Sequence, residues 1–124
     1  MRRVLALAAL VAAFVFLAPV IASAHDWYTG ARDPRTGTRC CGGNDCAVLE
    51  LEPGVLTGEP NGYRLRLTVA QAQKINPYRV EPVDTVIPWE RVQESPDGRF
   101  HLCLSHVRGS ARDDFYCFFA PPNT

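Results

Sequence analysis

Lysine is nearly missing from this sequence: beyond residue 24, Arg supplies ten of the eleven cations and Lys74 the other. Thirteen acidic residues face them, so that part of the chain is slightly acidic and has no run of one sign. Nucleic acid and anionic membrane surfaces need clustered cations, and this distribution excludes both as partners. Also missing are a phosphate-cradling glycine loop, a nucleophile elbow and a Cys-x-x-Cys beside a βαβ pattern. The sequence marks of nucleotide binding, serine hydrolysis and thioredoxin-like redox chemistry go with them. Beyond the first segment there is no internal repeat and no low-complexity tract.

One long apolar run exists, and it opens the chain. Met1-Arg2-Arg3 is positive, Val4 to Phe16 is unbroken and apolar, and Ala22-Ser23-Ala24 is a small-x-small cleavage site. Together these read as a secretory signal peptide over residues 1–24. Val4 to Ala22 approaches the length of a membrane anchor, but Pro19 and the Ala-Ser-Ala site favour cleavage and a mature chain beginning at His25. The expected location is periplasmic or secreted, with no membrane contact after cleavage; the partner stays unknown, a protein being one candidate. Residues 25–124 then form one folded unit: an irregular arm and cysteine cluster over 25–46, and a β domain over 47–124.

A small exported domain gains from covalent staples, and an oxidising compartment permits them. Cys40, Cys41 and Cys46 fall within seven residues, and Cys103 and Cys117 lie near the other end. Adjacent Cys40 and Cys41 make a strained ring if joined, so each prefers a distant partner. The expected pattern ties this cluster to the carboxy-terminal hairpin, with Cys41–Cys46 or Cys103–Cys117 as local alternatives. The odd count leaves one sulfur over.

Residues 25–39 carry turn dipeptides and no apolar period, so the arm must be tied down to stay ordered. Ala47 to Leu51 reads as a strand, and Gly62 to Thr68 alternates, with Tyr63, Leu65 and Leu67 on one face; the loop from Gly58 to Gly62 joins them as a hairpin. Thr68 and Gln71 form a capping-box pattern that opens a short helix over Val69 to Ile75, stopping before Pro77. Val83 to Gln93 resumes as strand, confined to an edge or bulge by Pro88, with Trp89 covering the core. Ser95-Pro96-Asp97-Gly98 is a turn expected to join Glu90–Glu94 to Arg99–Val107. A turn over Arg108–Arg112, with its loop at Gly109-Ser110-Ala111, would set Cys103 opposite Cys117. The fold class is mainly β (α+β): a small antiparallel β-sheet domain with one short helix, stapled by disulfides.

Three chemistries compete for the polar residues. Cleavage before His25 would expose an amino-terminal histidine, whose amine and ring chelate copper when a second histidine, His101 or His106, completes a nitrogen-rich site. The three clustered cysteines with His101 have the ligand types of a zinc site, although an oxidising compartment favours disulfides. Ser105 between His101 and His106, with Asp45, Asp113 or Asp114 as orienter, is the weaker alternative of a hydrolase without a recognisable elbow. Trp27, Tyr28, Trp89, Phe115, Phe118 and Phe119 read first as core filling.

The segments His25-Asp26-Trp27-Tyr28, Cys40-Cys41-Gly42-Gly43-Asn44-Asp45-Cys46, Ser95-Pro96-Asp97-Gly98-Arg99 with His101 and Cys103, and Cys117 before Pro121-Pro122 span most of the mature chain. In these the chain resembles an uncharacterised family of small exported, cysteine-containing bacterial proteins. The resemblance implies export and a cysteine framework, and its pattern includes His25 and His101. The reading is a structural or binding module, with a copper protein as its rival.

Overall fold

Among the described residues eight elements follow one another: β1 (Cys46–Val48), β2 (Leu56–Glu59), β3 (Gly62–Leu67), α1 (Val69–Ile75), β4 (Val83–Pro88), β5 (Val92–Glu94), β6 (His101–Leu104) and β7 (Phe115–Ala120), with a 3₁₀ turn at Trp89–Arg91 between β4 and β5. The computed structural model describes Trp27 and residues 30–41, 44–106 and 114–123. The signal segment, His25, Tyr28 and the expected turn at 108–112 lie outside the described residues.

Burial explains β3 directly. Tyr63, Leu65 and Leu67 leave water together while Arg66 stays in it, as period-two alternation requires. β3 is the middle strand of an antiparallel sheet ordered β2-β3-β4. Gly62 is required at its start, because a Cβ there would land on the Ile87 carbonyl of β4. α1 has the bounds that its signals give. The Thr68 hydroxyl accepts from the Gln71 N–H, the Gln71 side chain accepts from the Thr68 N–H, and the helix stops at Asn76. It buries Ala72 and Ile75, joining Leu65, Ile87, Leu102 and Phe118 in the main core between the sheets.

The second sheet is ordered β1-β6-β7-β5 and is mixed: β5 runs parallel to β7, and the other pairs are antiparallel. Across Ser95 to Gly98 the chain therefore turns without making a hairpin. The turn forms, with Gly98 at φ 70°, yet it joins strands that do not pair. β7 separates them. Its sequence, Phe-Tyr-Cys-Phe-Phe-Ala, is buried on both faces and therefore takes an interior place with a strand on each side.

Two expectations change. The hairpin to β3 comes from β2, turning at Pro60-Asn61, whereas the strand expected over Ala47 to Leu51 ends at Val48 and belongs to the other sheet. Leu56-Thr57-Gly58-Glu59 has no apolar alternation to betray it; Val55 before it supplies the burial. Trp89 does not cover the core but is 45% exposed. Its indole N–H donates to the Pro60 carbonyl at 3.0 Å, and its ring meets Tyr63 edge-on.

The opposite face of the mixed sheet carries a second, smaller core of Cys40, Cys103, Cys117 and Phe119, with Trp27 packed against it. Here the irregular arm is tied down. Arg32 and Arg39 form an isolated bridge, and the buried Asp33 carboxylate caps the turn by accepting from the Arg35 and Thr36 N–H groups. The same carboxylate pairs with buried Arg91 at 2.7 Å.

Candidate functional site

Strand register gathers the sulfurs. Cys46 lies directly opposite Cys103 across β1 and β6, and Cys103 directly opposite Cys117 across β6 and β7, so one row crosses three strands. Two disulfides tie the amino-terminal cluster to the far strands, as expected, through Cys40–Cys117 and Cys46–Cys103. Neither local alternative forms. Cys41 belongs to neither bridge. With Cys40 and Cys46 oxidised, the three-thiolate zinc set is dismantled.

Beside this clamp is a cavity of about 480 Å³ lined by Arg39, Cys41, Asn44, Asp45, Tyr78, His106 and Tyr116. Its walls are built by specific devices. Between Cys103 and Leu104 the register advances one residue on β6 but two on β7, from Cys117 to Phe115. That bulge puts Tyr116 on the same side as Cys117 and so at the cavity. Asp45 is held at the end of β6 because its carbonyl accepts from the Leu104 N–H at 2.9 Å. His106 is set by buried Asn76, whose carbonyl oxygen accepts from the Tyr78 N–H at 3.0 Å. The amide NH₂ therefore faces the Leu104 carbonyl at 3.0 Å and His106 Nδ1 at 3.2 Å. Nδ1 is thus the acceptor, and the ring proton is on Nε2.

Next to His106 and Tyr78 in the chain, Ser105 and Arg79 are tied together by hydrogen bonds. Fully buried Arg79 donates to the Ser105 carbonyl and hydroxyl at 3.2 and 3.3 Å and to Asp114 at 3.0 Å. The Ser105 hydroxyl in turn donates to the Asp114 carbonyl at 3.0 Å. Ser105 is therefore a buried link between chain segments, which removes the serine from the hydrolase alternative; Asp113 lies outside the described residues. Asp114 serves Arg79, and Asp45 serves the cavity.

His101 and His106 are separated by role. His101 is 2% exposed; its Nε2 is 2.7 Å from Asp97, and Trp27 stands edge-on to its ring at 5.0 Å. An ionised carboxylate only accepts, so His101 carries its proton on Nε2. The Ser95 to Gly98 turn thus has a second use: its Asp97 orients a buried histidine. His25, the remaining copper candidate, lies outside the described residues.

Burial alone would raise the Asp97 pKa, but hydrogen bonds from His101, Ser95 and Arg99 hold it well below the usual carboxylate range. Asp33 shows the same contest: burial raises it, and the Thr36 N–H, Arg91 and the Arg35 N–H bring it below its ordinary value. A depressed folded-state pKa gives stability that is full above the ordinary value of 3.8 and drains away as pH falls through the folded value. Urea midpoints should therefore hold steady from about pH 7 to about pH 5 and fall steeply below about pH 4. Asp33→Asn should flatten that fall; a midpoint as high at about pH 2.5 as at neutrality would contradict the assignment.

No protein-family model, curated protein or solved structure matches this chain. The site therefore stands on its own geometry. Sequence reasoning singled out the cysteines, His101 and His106 but not Arg39, Asn44, Tyr78 or Tyr116 as site residues; these stand in loops or at a bulge without periodic signal. It also missed Arg79 and Arg91, because nothing in a sequence distinguishes a buried arginine from a solvated one.

Proposed function

We propose that this protein is an exported binding module whose ligand enters the cavity beside the disulfide clamp. A disulfide-stapled β domain is the frame; the observation that carries the reading is the concentration of chemistry-bearing side chains on one concave surface. Cationic Arg39, acidic Asp45, the Asn44 amide, the His106 ring and two tyrosines supply donors, acceptors and flat faces, the mixture that orients a small polar ligand. The groove between β1 and α1 is a poorer candidate, since its volume is about 220 Å³ and the Lys74–Glu50 pair at 2.8 Å lies along it. Two disulfides accord with an oxidising compartment, and no helix among the described residues is long and apolar enough to cross a membrane.

A second reading keeps copper, and one observation favours it. Asp97 holds His101 Nε2 in the way carboxylates orient metal-ligating histidines. His106 suits the role less well, because a metal on Nε2 moves the ring proton to Nδ1, against the Asn76 amide NH₂.

Amide chemical-shift mapping of the mature, oxidised protein separates the two. A panel of small polar fragments should shift Asn44, Asp45, Tyr78, His106 and Tyr116. Hits confined to the β1–α1 groove would overturn the binding-module reading. Copper(II) should broaden Trp27 and His101 selectively, and an added residue before His25 should abolish that broadening if the copper reading holds.

A further inference from the structure

Among the described residues, one set of three donor atoms is unusually close. Cys41 Sγ, a carboxylate oxygen of Asp45 and Cys46 Sγ all lie within 4.8 Å of one another. These are metal-ligand types, but Cys46 is bonded to Cys103, and a disulfide sulfur is not the thiolate that a metal requires. What the three atoms form is a thiol next to a disulfide.

We propose that Cys41 and the Cys46–Cys103 bridge are a thiol–disulfide exchange site. Cys41 loses its proton to solvent, and the thiolate attacks Cys46 Sγ, forming a Cys41–Cys46 bond. The Cys46–Cys103 bond breaks with its electron pair on Cys103 Sγ, which takes up a proton. One disulfide and one thiol stand on each side, so the step needs no oxidant or reductant. Its ease comes from position: the attacking sulfur is held near its target instead of arriving by diffusion.

The row of cysteines carries the exchange further. Cys103 lies directly opposite Cys117 in the register of β6 and β7. The released Cys103 sulfur lies beside the Cys40–Cys117 bridge; once it gives up its proton again it attacks Cys117 Sγ, and the Cys117–Cys40 bond breaks with its electron pair on Cys40 Sγ, which takes up a proton. The odd sulfur is thereby passed from the cavity wall to the arm, leaving Cys41–Cys46 and Cys103–Cys117 bridged. Burial of Cys103 disfavours its charged leaving form and makes the exchange slow, while a buried neutral thiol packs as a small apolar group. The proposal rests on sulfur positions alone and stands whether or not the cavity takes a ligand.

The test holds the mature, oxidised protein at about pH 8, because exchange proceeds through a thiolate, and blocks thiols with a maleimide in acidic denaturant at successive times. Non-reducing cleavage before Asp45 then separates Cys41 from Cys46 for mass spectrometry. The expected result is a Cys41–Cys46 linked peptide with label on Cys103 or Cys40, in a fraction that grows with time and is lost in Cys41→Ser. Label on Cys41 alone at every time overturns the proposal. A second variant makes the same demand: Cys103→Ala leaves Cys41 and Cys46 as thiols, and air oxidation should join them with loss of two hydrogens. A Cys46 that stays fully alkylatable there also overturns it. Fragment mapping on the unsubstituted protein reports separately on the cavity.

Discussion

Arg91→Met should lower the stability of the domain by about 3–5 kcal/mol, the range for breaking one half of a buried ion pair. Arg91 is buried; its guanidinium lies 2.7 Å from Asp33, reaches the Phe115 and Tyr116 carbonyls, and is stacked 3.9 Å over the Phe115 ring. Removing it strands the Asp33 carboxylate, which is 1% exposed, and deprives two β7 carbonyls of a donor. At about 4–8 °C per kcal/mol for a domain of this size, the melting temperature should drop by at least about 12 °C. Asp33→Asn in the same chain should restore part of the loss, because an amide keeps the caps on Arg35 and Thr36 without leaving a charge buried. Additive losses in the double variant would show that the pair is not coupled.

Reduction of both disulfides should have the larger effect. The bridges join residues 77 and 57 apart, and closing loops of such length removes about 4 kcal/mol of unfolded-chain entropy each. A domain of this size has only about 5–15 kcal/mol in total. The reduced chain is therefore expected to be largely unfolded at about 37 °C, read by circular dichroism with and without dithiothreitol. The bridges differ in what they hold. Cys46–Cys103 joins paired neighbours, whereas Cys40–Cys117 fastens an arm of turns to β7. Cys40→Ala with Cys117→Ala should expose the arm to proteases while β3 and β4 stay protected. Equal protection of arm and sheet would show that Asp33–Arg91 suffices as the anchor.

Local signals were legible wherever one segment satisfied itself. The Thr68–Gln71 capping box, Pro77 beyond the helix, the alternation of Tyr63, Leu65 and Leu67, and the Ser95 to Gly98 turn each depend on neighbours in the chain, and each forms as read. The Cys103–Cys117 register was legible too, although the bulge at Tyr116 absorbs the residue that would have slipped it. What failed was pairing at a distance. A turn joins β5 to β6, but strand order is decided by which strand is buried on both faces, and β7 wins that place.

The sequence by itself determined the material: a mainly β chain, a capped helix, five cysteines and a nearly even balance of charge. Tertiary structure alone decided which sulfurs meet, that Arg79 and Arg91 are buried, and that Cys41, Asp45, Tyr78, His106 and Tyr116 share a cavity. The reason is physical. Periodicity, capping and turn chemistry are properties of adjacent residues, whereas a cavity and a row of sulfurs exist only once strands far apart in sequence lie about 5 Å apart in a sheet.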